Sequence, residues 1–308
     1  MNAQALVQTQ QQGPVLVVSI NNPPVNALGQ GVRAGLLAAV EQLEQDAALK
    51  AMLIVGQGKA FIAGADIREF GKPPMAPALP DVLNRMETGS KLVVAAIHGP
   101  ALGGGLEVAM ATHFRVALAG AKLGLPEVNL GLLPGAGGTQ RSPRLMGVKA
   151  ATELMLSGQH LSAKAALAAG LVDKLAEGDD PLVAGLAYVN ELLARGVPPR
   201  RTRDLAIADK AAALAELDAI ALESVKKTRG LFSPAKIIEC VRAAVELPFE
   251  QGLKRERELF LECLNSPQRQ GLVHAFFAER ETAKIPEAKA AAPRHFAHIA
   301  VIGGGTMG

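Results

Sequence analysis

The chain has 308 residues, with 32 Lys or Arg, 29 Asp or Glu, a formal net charge of +3 and 3% aromatic residues. A small net charge and few aromatic rings argue against a nucleic-acid-binding protein, which needs a basic surface or stacking platforms. The two cysteines, Cys240 and Cys263, lack metal-binding spacing and suit a reducing compartment, and no apolar segment of about 18 residues predicts a membrane span.

The N-terminal region begins with a polar segment and continues with strand and helix signals. Residues 1–14 lack the basic and apolar regions of a secretory signal, so we expect a cytoplasmic protein. Residues 15–20 and 52–55 are short apolar runs rich in β-branched residues, which predict strands. Between these runs, apolar residues recur at helical spacing at Val32, Leu36, Ala39, Val40 and Leu43.

Two further runs, residues 93–97 and 114–118, repeat the strand signal. Residues 105–112 between them have room for about two helical turns. Because these strand signals are mostly apolar, we expect the strands to be buried on both faces of a sheet. The sequence therefore predicts an α/β fold with a core over residues 1–190.

From about residue 149 the pattern becomes helical, and no strand is predicted between there and residue 284. Two apolar helix faces are expected, one formed by Leu214, Leu217, Ala221 and Val225 and the other by Ile237, Val241 and Val245. We interpret residues 191–284 as a helical section and residues 285–296, which are rich in Pro and Ala, as a linker.

Residues 297–308 are predicted to begin a second domain. A strand signal at 298–302 runs into Gly303, Gly305 and Gly308, which have the G-x-G-x-x-G spacing of a dinucleotide-binding turn. The chain stops before the helix and the acidic residue that such a site needs, so these residues alone form no NAD site. Two interpretations stay open: a chain cut just inside a dinucleotide-binding domain, and a glycine tail.

Three segments, residues 59–70, 98–110 and 125–141, each join a strand-like run to a glycine turn and a predicted helix start. Such turns leave backbone N–H groups free to bind negative charge. The second segment contains Glu107 and the third Glu127, each within a largely apolar run. Either glutamate alone has a structural explanation, near a helix N-terminus or in a turn. Together, paired carboxylates beside glycine loops can hold one water and divide acid and base catalysis over it.

Other polar residues near these segments are interpreted as structural. Asp66 is predicted to cap the segment that follows it, Arg68 and Glu69 to be solvated, and His98 to have a structural role. Arg200, Arg201 and Arg203 could bind a phosphate, but a basic run of this kind is expected on a solvated face. No cluster of His, Cys or carboxylates has metal-ligand spacing, so no metal site is expected.

At the three glycine segments the sequence resembles the enoyl-CoA hydratase/isomerase (crotonase) superfamily. The matching motifs are NPPVNAL at 22–28, AFIAGADI at 60–67, ALGGGLEVAM at 101–110 and PEVNLGLLPGAGGTQR at 126–141. The resemblance implies a crotonase-like ββα spiral core followed by the helical section. The C-terminal part resembles multifunctional β-oxidation enzymes, in which a hydratase/isomerase half precedes a 3-hydroxyacyl-CoA dehydrogenase half.

The resemblance also implies roles for individual residues. The backbone N–H groups of Ala65 and Gly104 are expected to form an oxyanion hole for the acyl thioester oxygen. Glu107 and Glu127 are expected to be the catalytic acid and base on either side of a water, with the Gly135 N–H helping to position that water. Glu127 is the expected proton donor to the substrate α-carbon.

The expected reaction is hydration of a trans-2-enoyl-CoA to a 3-hydroxyacyl-CoA in fatty-acid β-oxidation, with Δ3,Δ2-enoyl-CoA isomerisation as a second activity. The substrate is a coenzyme A thioester, whose path is expected over Ala63, Gly64 and Ile67. No cofactor is expected for hydration, and NAD would serve only a longer parent protein. Isomerisation alone, thioester hydrolysis and an inactive acyl-CoA-binding subunit stay open. A monomer, a homo-oligomer and a thiolase complex also stay open, as does a peroxisomal location in a eukaryote.

Overall fold

The computed structural model describes residues 5–69, 72–228, 230–282, 284, 285, 291, 292, 294–298 and 300, without the side chain of Ile67. Gly303, Gly305 and Gly308 of the predicted dinucleotide turn lie outside the described residues, as do residues 286–290 of the predicted linker. The predicted second domain and its linker therefore stay predictions.

Short strands run through the first two thirds of the described chain. They are β1 (Val7–Gln12), β2 (Val15–Ile20), β3 (Ala51–Gly56), β4 (Leu92–Ile97), β5 (Pro100–Leu102), β6 (Phe114–Leu118), β7 (Lys122–Gly124), β8 (His160–Ser162) and β9 (Lys174–Ala176). All four strands expected from apolar runs are confirmed, as β2, β3, β4 and β6.

The strands form two sheets. The larger sheet has the order β1-β2-β3-β4-β6-β9, in which β1 and β2 are antiparallel and every other pair is parallel. The smaller sheet has the order β5-β7-β8, with β5 and β7 parallel. Parallel neighbours require crossover connections, which the helices between the strands provide.

The large sheet is buried on both faces, as predicted. Alternate side chains of β2, β3 and β4 point to opposite sides because successive residues of a strand face opposite ways. Leu16, Met52 and Val93 belong to the main hydrophobic core, whereas Val17, Leu53 and Val94 belong to a second core on the other face. This double burial explains the mostly apolar strand sequences.

Five of these strands differ from the sequence prediction. β5 and β7 were not predicted, and each has only three residues. β1 was not predicted because its sequence, VQTQQQ, is polar, and it lies at the edge of the sheet with its side chains largely exposed. β8 and β9 lie in the region predicted to have no strand, and each has only three residues. A three-residue strand is too short to show an apolar period.

The helices surround the sheets and continue beyond them. They are α1 (Gln30–Gln45), α2 (Leu79–Glu87), α3 (Gly104–Ala111), α4 (Gly138–Met146), α5 (Val148–Ser157), α6 (Ala163–Ala168), α7 (Pro181–Ala194), α8 (Lys210–Lys227), α9 (Phe232–Glu246), α10 (Phe249–Leu264) and α11 (Pro267–Thr282). None of the described helices is both long and apolar enough to cross a membrane.

The predicted helix faces are confirmed with one exception. All five apolar residues of α1 and the three of α9 are buried, as is Leu217 of α8. The prediction that Val225 is buried is wrong, because this residue is 76% exposed and its neighbour Ser224 is buried instead. The predicted core boundary at residue 190 falls inside α7, whose Val189 and Leu192 pack on the sheet, so this helix belongs to the core.

Two predictions of solvated charge are wrong. Glu69 is partly buried, accepts from the N–H of Gln30 at the start of α1, and forms an ion pair with Arg33 at 2.7 Å. In the basic run, Arg200 pairs with Asp173 and Arg203 with Glu250. These side chains tie loops to the core, because a basic side chain can pair with carboxylates and carbonyls from distant segments.

Candidate active site

Parallel strands β5 and β7 bring two loops to the same end of the small sheet. β5 leads into α3, which carries Glu107, and β7 leads into the 3₁₀ turn Pro126–Leu130, which carries Glu127. The Gly103 N–H donates to the Gly124 carbonyl at 2.9 Å and ties the two loops together. Because parallel strands end at the same edge, both glutamates reach one region of the molecule.

Helix α3 begins at Gly104, as expected from the glycine run. Gly103, which precedes it, has φ 52° and ψ −126°, a conformation that only glycine adopts readily. Glu107 therefore lies in the first turn of the helix, and it is only 3% exposed.

The N–H groups assigned to the oxyanion hole come from different segments that lie close together. A Cβ placed on Gly104 would be 3.9 Å from the Ala65 nitrogen, and 3.1 and 3.2 Å from the side chains of Leu28 and Leu79. Within the part of the chain that the structure describes, neither the Ala65 nor the Gly104 N–H donates to a protein acceptor. Two free donors beside apolar side chains can stabilise a developing negative charge.

The Glu107 carboxylate is held by the glycine turn before α4. Its Oε1 accepts from the N–H groups of Ala136 and Gly138, at 2.7 and 2.8 Å. Burial raises the pKa of Glu107, while these two N–H groups and the nearby Arg141 lower it. Two donors on one oxygen favour the ionised carboxylate.

The Glu127 carboxyl has a different environment. Its Oε2 is buried and has no hydrogen-bond partner among the described residues. Burial raises the pKa of Glu127 well above its ordinary value, and repulsion from Glu107 raises it further. The protonated form of Glu127 is therefore favoured beside an ionised Glu107.

A third buried carboxylate, Glu256 on α10, was missed by the sequence analysis. It is 2% exposed, and it accepts from the N–H groups of Gly137 and Thr139 at 2.7 and 3.1 Å. The signal that could have found it is helical spacing, because α10 buries Phe249, Gly252, Glu256, Leu259 and Cys263 along one stripe. A carboxylate on an otherwise apolar stripe is costly unless it has partners.

The other predicted site residues lie around these carboxylates. Gly135 packs beneath α10, since a Cβ there would lie 2.5 Å from the Phe260 ring. Ala63 and Gly64 precede Ala65 in the same loop, and Ala63 donates its N–H to the Val25 carbonyl at 3.0 Å. Ile67 was predicted to line the coenzyme A path, but its side chain is not among the described parts of the structure. The roles of these residues stay predictions.

The residues interpreted as structural have local partners. Asp66 Oδ1 accepts from the Arg68 N–H at 3.0 Å, as expected for a cap, and its carboxylate also pairs with the Arg68 guanidinium. This contact lowers the pKa of Asp66. His98 Nε2 lies 3.1 Å from the Gly58 carbonyl. Among the described residues, no group of three or more His, Cys, Asp or Glu side chains could hold a metal ion.

A family model described as enoyl-CoA hydratase/isomerase matches residues 10–198. This match includes the two strand-to-helix loops with Glu107 and Glu127 and the turn before α4. It ends before α10, so Glu256 lies outside the matched region.

Two curated relatives are similar over nearly the whole chain. A peroxisomal bifunctional enzyme of Danio rerio is 42% identical over 299 residues, covering 96% of this chain and 41% of the relative. A peroxisomal fatty acid beta-oxidation multifunctional protein of Oryza sativa subsp. japonica is 38% identical over 308 residues, covering 96% and 42%. The chain thus spans about two fifths of the length of these relatives.

Solved structures share the fold. An enoyl-CoA hydratase/isomerase from Pseudoalteromonas atlantica T6c has a TM-score of 0.63 at 25% identity, covering 95% of this chain and all of that one. A carnitinyl-CoA hydratase from Mycobacterium avium has a TM-score of 0.68 at 24% identity, covering 90% of this chain and 97% of that one. The predicted crotonase-like α/β core followed by helices is confirmed.

Proposed function

The chain belongs to the enoyl-CoA hydratase/isomerase family, and from this premise we propose that it adds water to a trans-2-enoyl-CoA to give a 3-hydroxyacyl-CoA. The observation that carries the proposal is the unequal pair of buried carboxylates. Glu107 accepts two N–H groups on one oxygen, whereas Glu127 keeps a buried oxygen that meets no hydrogen-bond partner in the described part of the chain. Two acids whose environments push their pKa values apart are suited to act as a base and an acid.

The proposed reaction uses both glutamates in one addition. Glu107, as the carboxylate, takes a proton from water while the water oxygen bonds to the substrate β-carbon. The electrons of the double bond move toward the thioester, and Glu127 delivers its proton to the α-carbon. The product carries the added water, and the glutamates have exchanged protonation states, so a proton must return to Glu127 before the next turnover.

The backbone supports this reaction by stabilising the charge that moves to the thioester oxygen. The N–H groups of Ala65 and Gly104 are the proposed donors, since they lie close together and have no protein acceptor among the described residues. Each such donor contributes on the order of 3 kcal/mol to the transition state. The coenzyme A part is proposed to run along Ala63 and Gly64.

Isomerisation of a 3-enoyl-CoA to a 2-enoyl-CoA is a second candidate activity. The free Oε2 of Glu127 favours it, because this reaction moves one proton between two carbons of the substrate and needs no water. Neither reaction needs an oxidant or a reductant, so we propose that no cofactor takes part. The proposed substrate is a coenzyme A thioester. An NAD-linked step in a longer parent protein stays a prediction, and so do a thiolase partner, a homo-oligomer and the compartment.

Purified protein and crotonyl-CoA test the proposal. We expect the enoyl-thioester absorbance to fall and mass spectrometry to show a product heavier by one water. An unchanged mass would indicate isomerisation or binding alone, and free coenzyme A would indicate thioester hydrolysis.

Two variants connect the activity to the site. Glu107→Gln and Glu127→Gln should each lower kcat by about 10²- to 10⁴-fold, the contribution of one acid–base group. Glu258→Gln is the matched control, because Glu258 is exposed on α10 and pairs with Arg255. Activity retained in both site variants would sink the proposal.

A further inference from the structure

Glu256 lies on the opposite side of the glycine turn from Glu107. Four consecutive N–H groups of this turn alternate between the two carboxylates. Ala136 and Gly138 donate to Glu107, whereas Gly137 and Thr139 donate to Glu256. Adjacent peptide planes of this turn therefore present their N–H groups to different glutamates, so a shift of the planes that meet Glu256 also shifts those that meet Glu107.

The Thr139 side chain strengthens this arrangement. Its hydroxyl donates to Glu256 Oε2 and accepts from the Gln140 Nε2 at 2.9 Å. The Gln140 amide also donates to the Cys240 carbonyl on α9 at 2.9 Å. Glu256 is thus satisfied by three donors from residues 137–139 and forms no ion pair among the described residues.

The close approach of α10 to α4 has a visible cause. A Cβ on Gly252 would lie 2.1 Å from Gln140 Oε1, so a larger residue there would displace the Gln140 side chain, whose amide holds the Thr139 hydroxyl. Glu256 is one turn further along α10, which places its carboxylate at the N-terminus of α4. The N-terminal end of a helix favours negative charge.

Several charged and titratable groups lie around Glu256 and the turn that holds it. Glu107 on α3 and Glu127 in the 3₁₀ turn repel its charge, and Cys240 on α9 lies near it. Arg141 on α4 donates to the Ala136 carbonyl at 3.0 Å. On α10 itself, Arg255 pairs with Glu239 and Glu258, and Arg257 lies over the Phe260 ring.

We propose that Glu256 is a positioning residue for the hydration, holding the turn at residues 136–139 so that two of its N–H groups meet Glu107. The proposal rests on the proposed function. In this proposal Glu256 does not act on the substrate, because the groups that donate hydrogen bonds to it all belong to residues 137–139 of the turn. At alkaline pH, where Glu256 is ionised, its charge also reaches Glu127 and favours the protonated form of that acid.

Three variants and one control test the proposal with crotonyl-CoA. Glu256→Gln should lower kcat by about 10- to 100-fold with KM within about threefold, because Glu107 loses its alignment. The alkaline limb of the kcat/KM profile should also move to lower pH by roughly half a unit, because a negative charge near Glu127 is gone. Glu258→Gln should match the wild type in both respects.

Glu256→Asp separates position from charge. Its shorter side chain cannot reach both N–H groups in the same way, so kcat should fall while the alkaline limb stays. Thr139→Val, which removes the hydroxyl donor, should lower kcat several-fold at unchanged KM. These two variants decide the question if Glu256→Gln does not fold.

Each outcome has a clear meaning. A wild-type protein that does not hydrate crotonyl-CoA overturns the proposed function. An active wild type whose folded Glu256 and Thr139 variants keep its kcat and pH profile overturns only the positioning role. A Glu256→Gln variant that loses stability but keeps the kcat of the folded fraction and the alkaline limb assigns Glu256 a purely structural role and also overturns the proposal.

Discussion

Two groups of buried carboxylates lie near the same glycine turn, and they differ in how their charge is balanced. Glu87 on α2 is fully buried and forms an ion pair with the buried Arg141 at 2.7 Å. Glu107, Glu127 and Glu256 form no ion pair among the described residues. A cation partner balances the charge of Glu87 and fixes its position, whereas a buried carboxyl group without a counter-charge can exchange a proton.

Arg141 connects the two groups. Its guanidinium donates to Glu87 and also to the Ala136 carbonyl, in the turn whose N–H groups hold Glu107 and Glu256. The ion pair thus anchors the turn from outside the site. The Arg203 N–H completes the anchor by donating to the second Glu87 oxygen at 2.9 Å. Variants of the two groups should therefore differ in their effects on stability and on activity.

The largest expected effect is on stability. Glu87→Gln should lower the free energy of unfolding by about 3–5 kcal/mol, because it leaves the Arg141 guanidinium buried without a counter-charge. Glu127→Gln should leave stability unchanged or raise it, because a neutral amide replaces a carboxyl that burial already disfavours in its charged form. Urea unfolding midpoints at constant slope measure both. Equal losses in the two variants would contradict the distinction.

The pH dependence of stability is the next effect. Burial and the nearby Glu107 raise the pKa of Glu256 from 4.5 to about 8, so between these values the folded protein holds a proton that the unfolded chain has lost. Stability from this group should therefore fall as pH rises through that window, by at most about 1.4 kcal/mol per pH unit. Unfolding midpoints between about pH 5 and pH 8 should decline less steeply in Glu256→Gln. A variant slope equal to the wild-type slope would contradict the expected titration.

Most of the fold could be predicted because double burial leaves a strong pattern. β3 and β4 are continuous apolar runs, β2 and β6 are apolar except for Ser19 and Arg115, and α1 shows its buried face in its spacing. β1 could not be predicted in this way, because an edge strand needs backbone pairing on one side only and keeps polar side chains in solvent. The limits of prediction thus follow from how much of each element is buried.

The same reasoning applies to the site. Glu107 and Glu127 stand out because each carboxylate interrupts an apolar run beside glycines. Glu256 lies in the charged run KRERELFLE, where no single residue indicates burial. The only indication is the helical spacing of Glu256 from the apolar residues Phe249 and Leu259. Its partners, Gly137 and Thr139, are more than a hundred residues away, and sequence carries no direct record of that contact.

The smallest expected effect tests position without changing charge. Gly103→Ala should lower stability by about 1–3 kcal/mol, because a φ of 52° with a ψ of −126° is strained for alanine. The new Cβ would also lie 2.9 Å from Glu127 Oε1, so the carboxyl must move and kcat should fall about tenfold. Gly120→Ala is the matched control, since no atom lies within 4 Å of its added Cβ. If Gly103→Ala keeps full kcat, the placement of Glu127 against α3 is not needed for the reaction, and the two groups of carboxylates differ in charge balance alone.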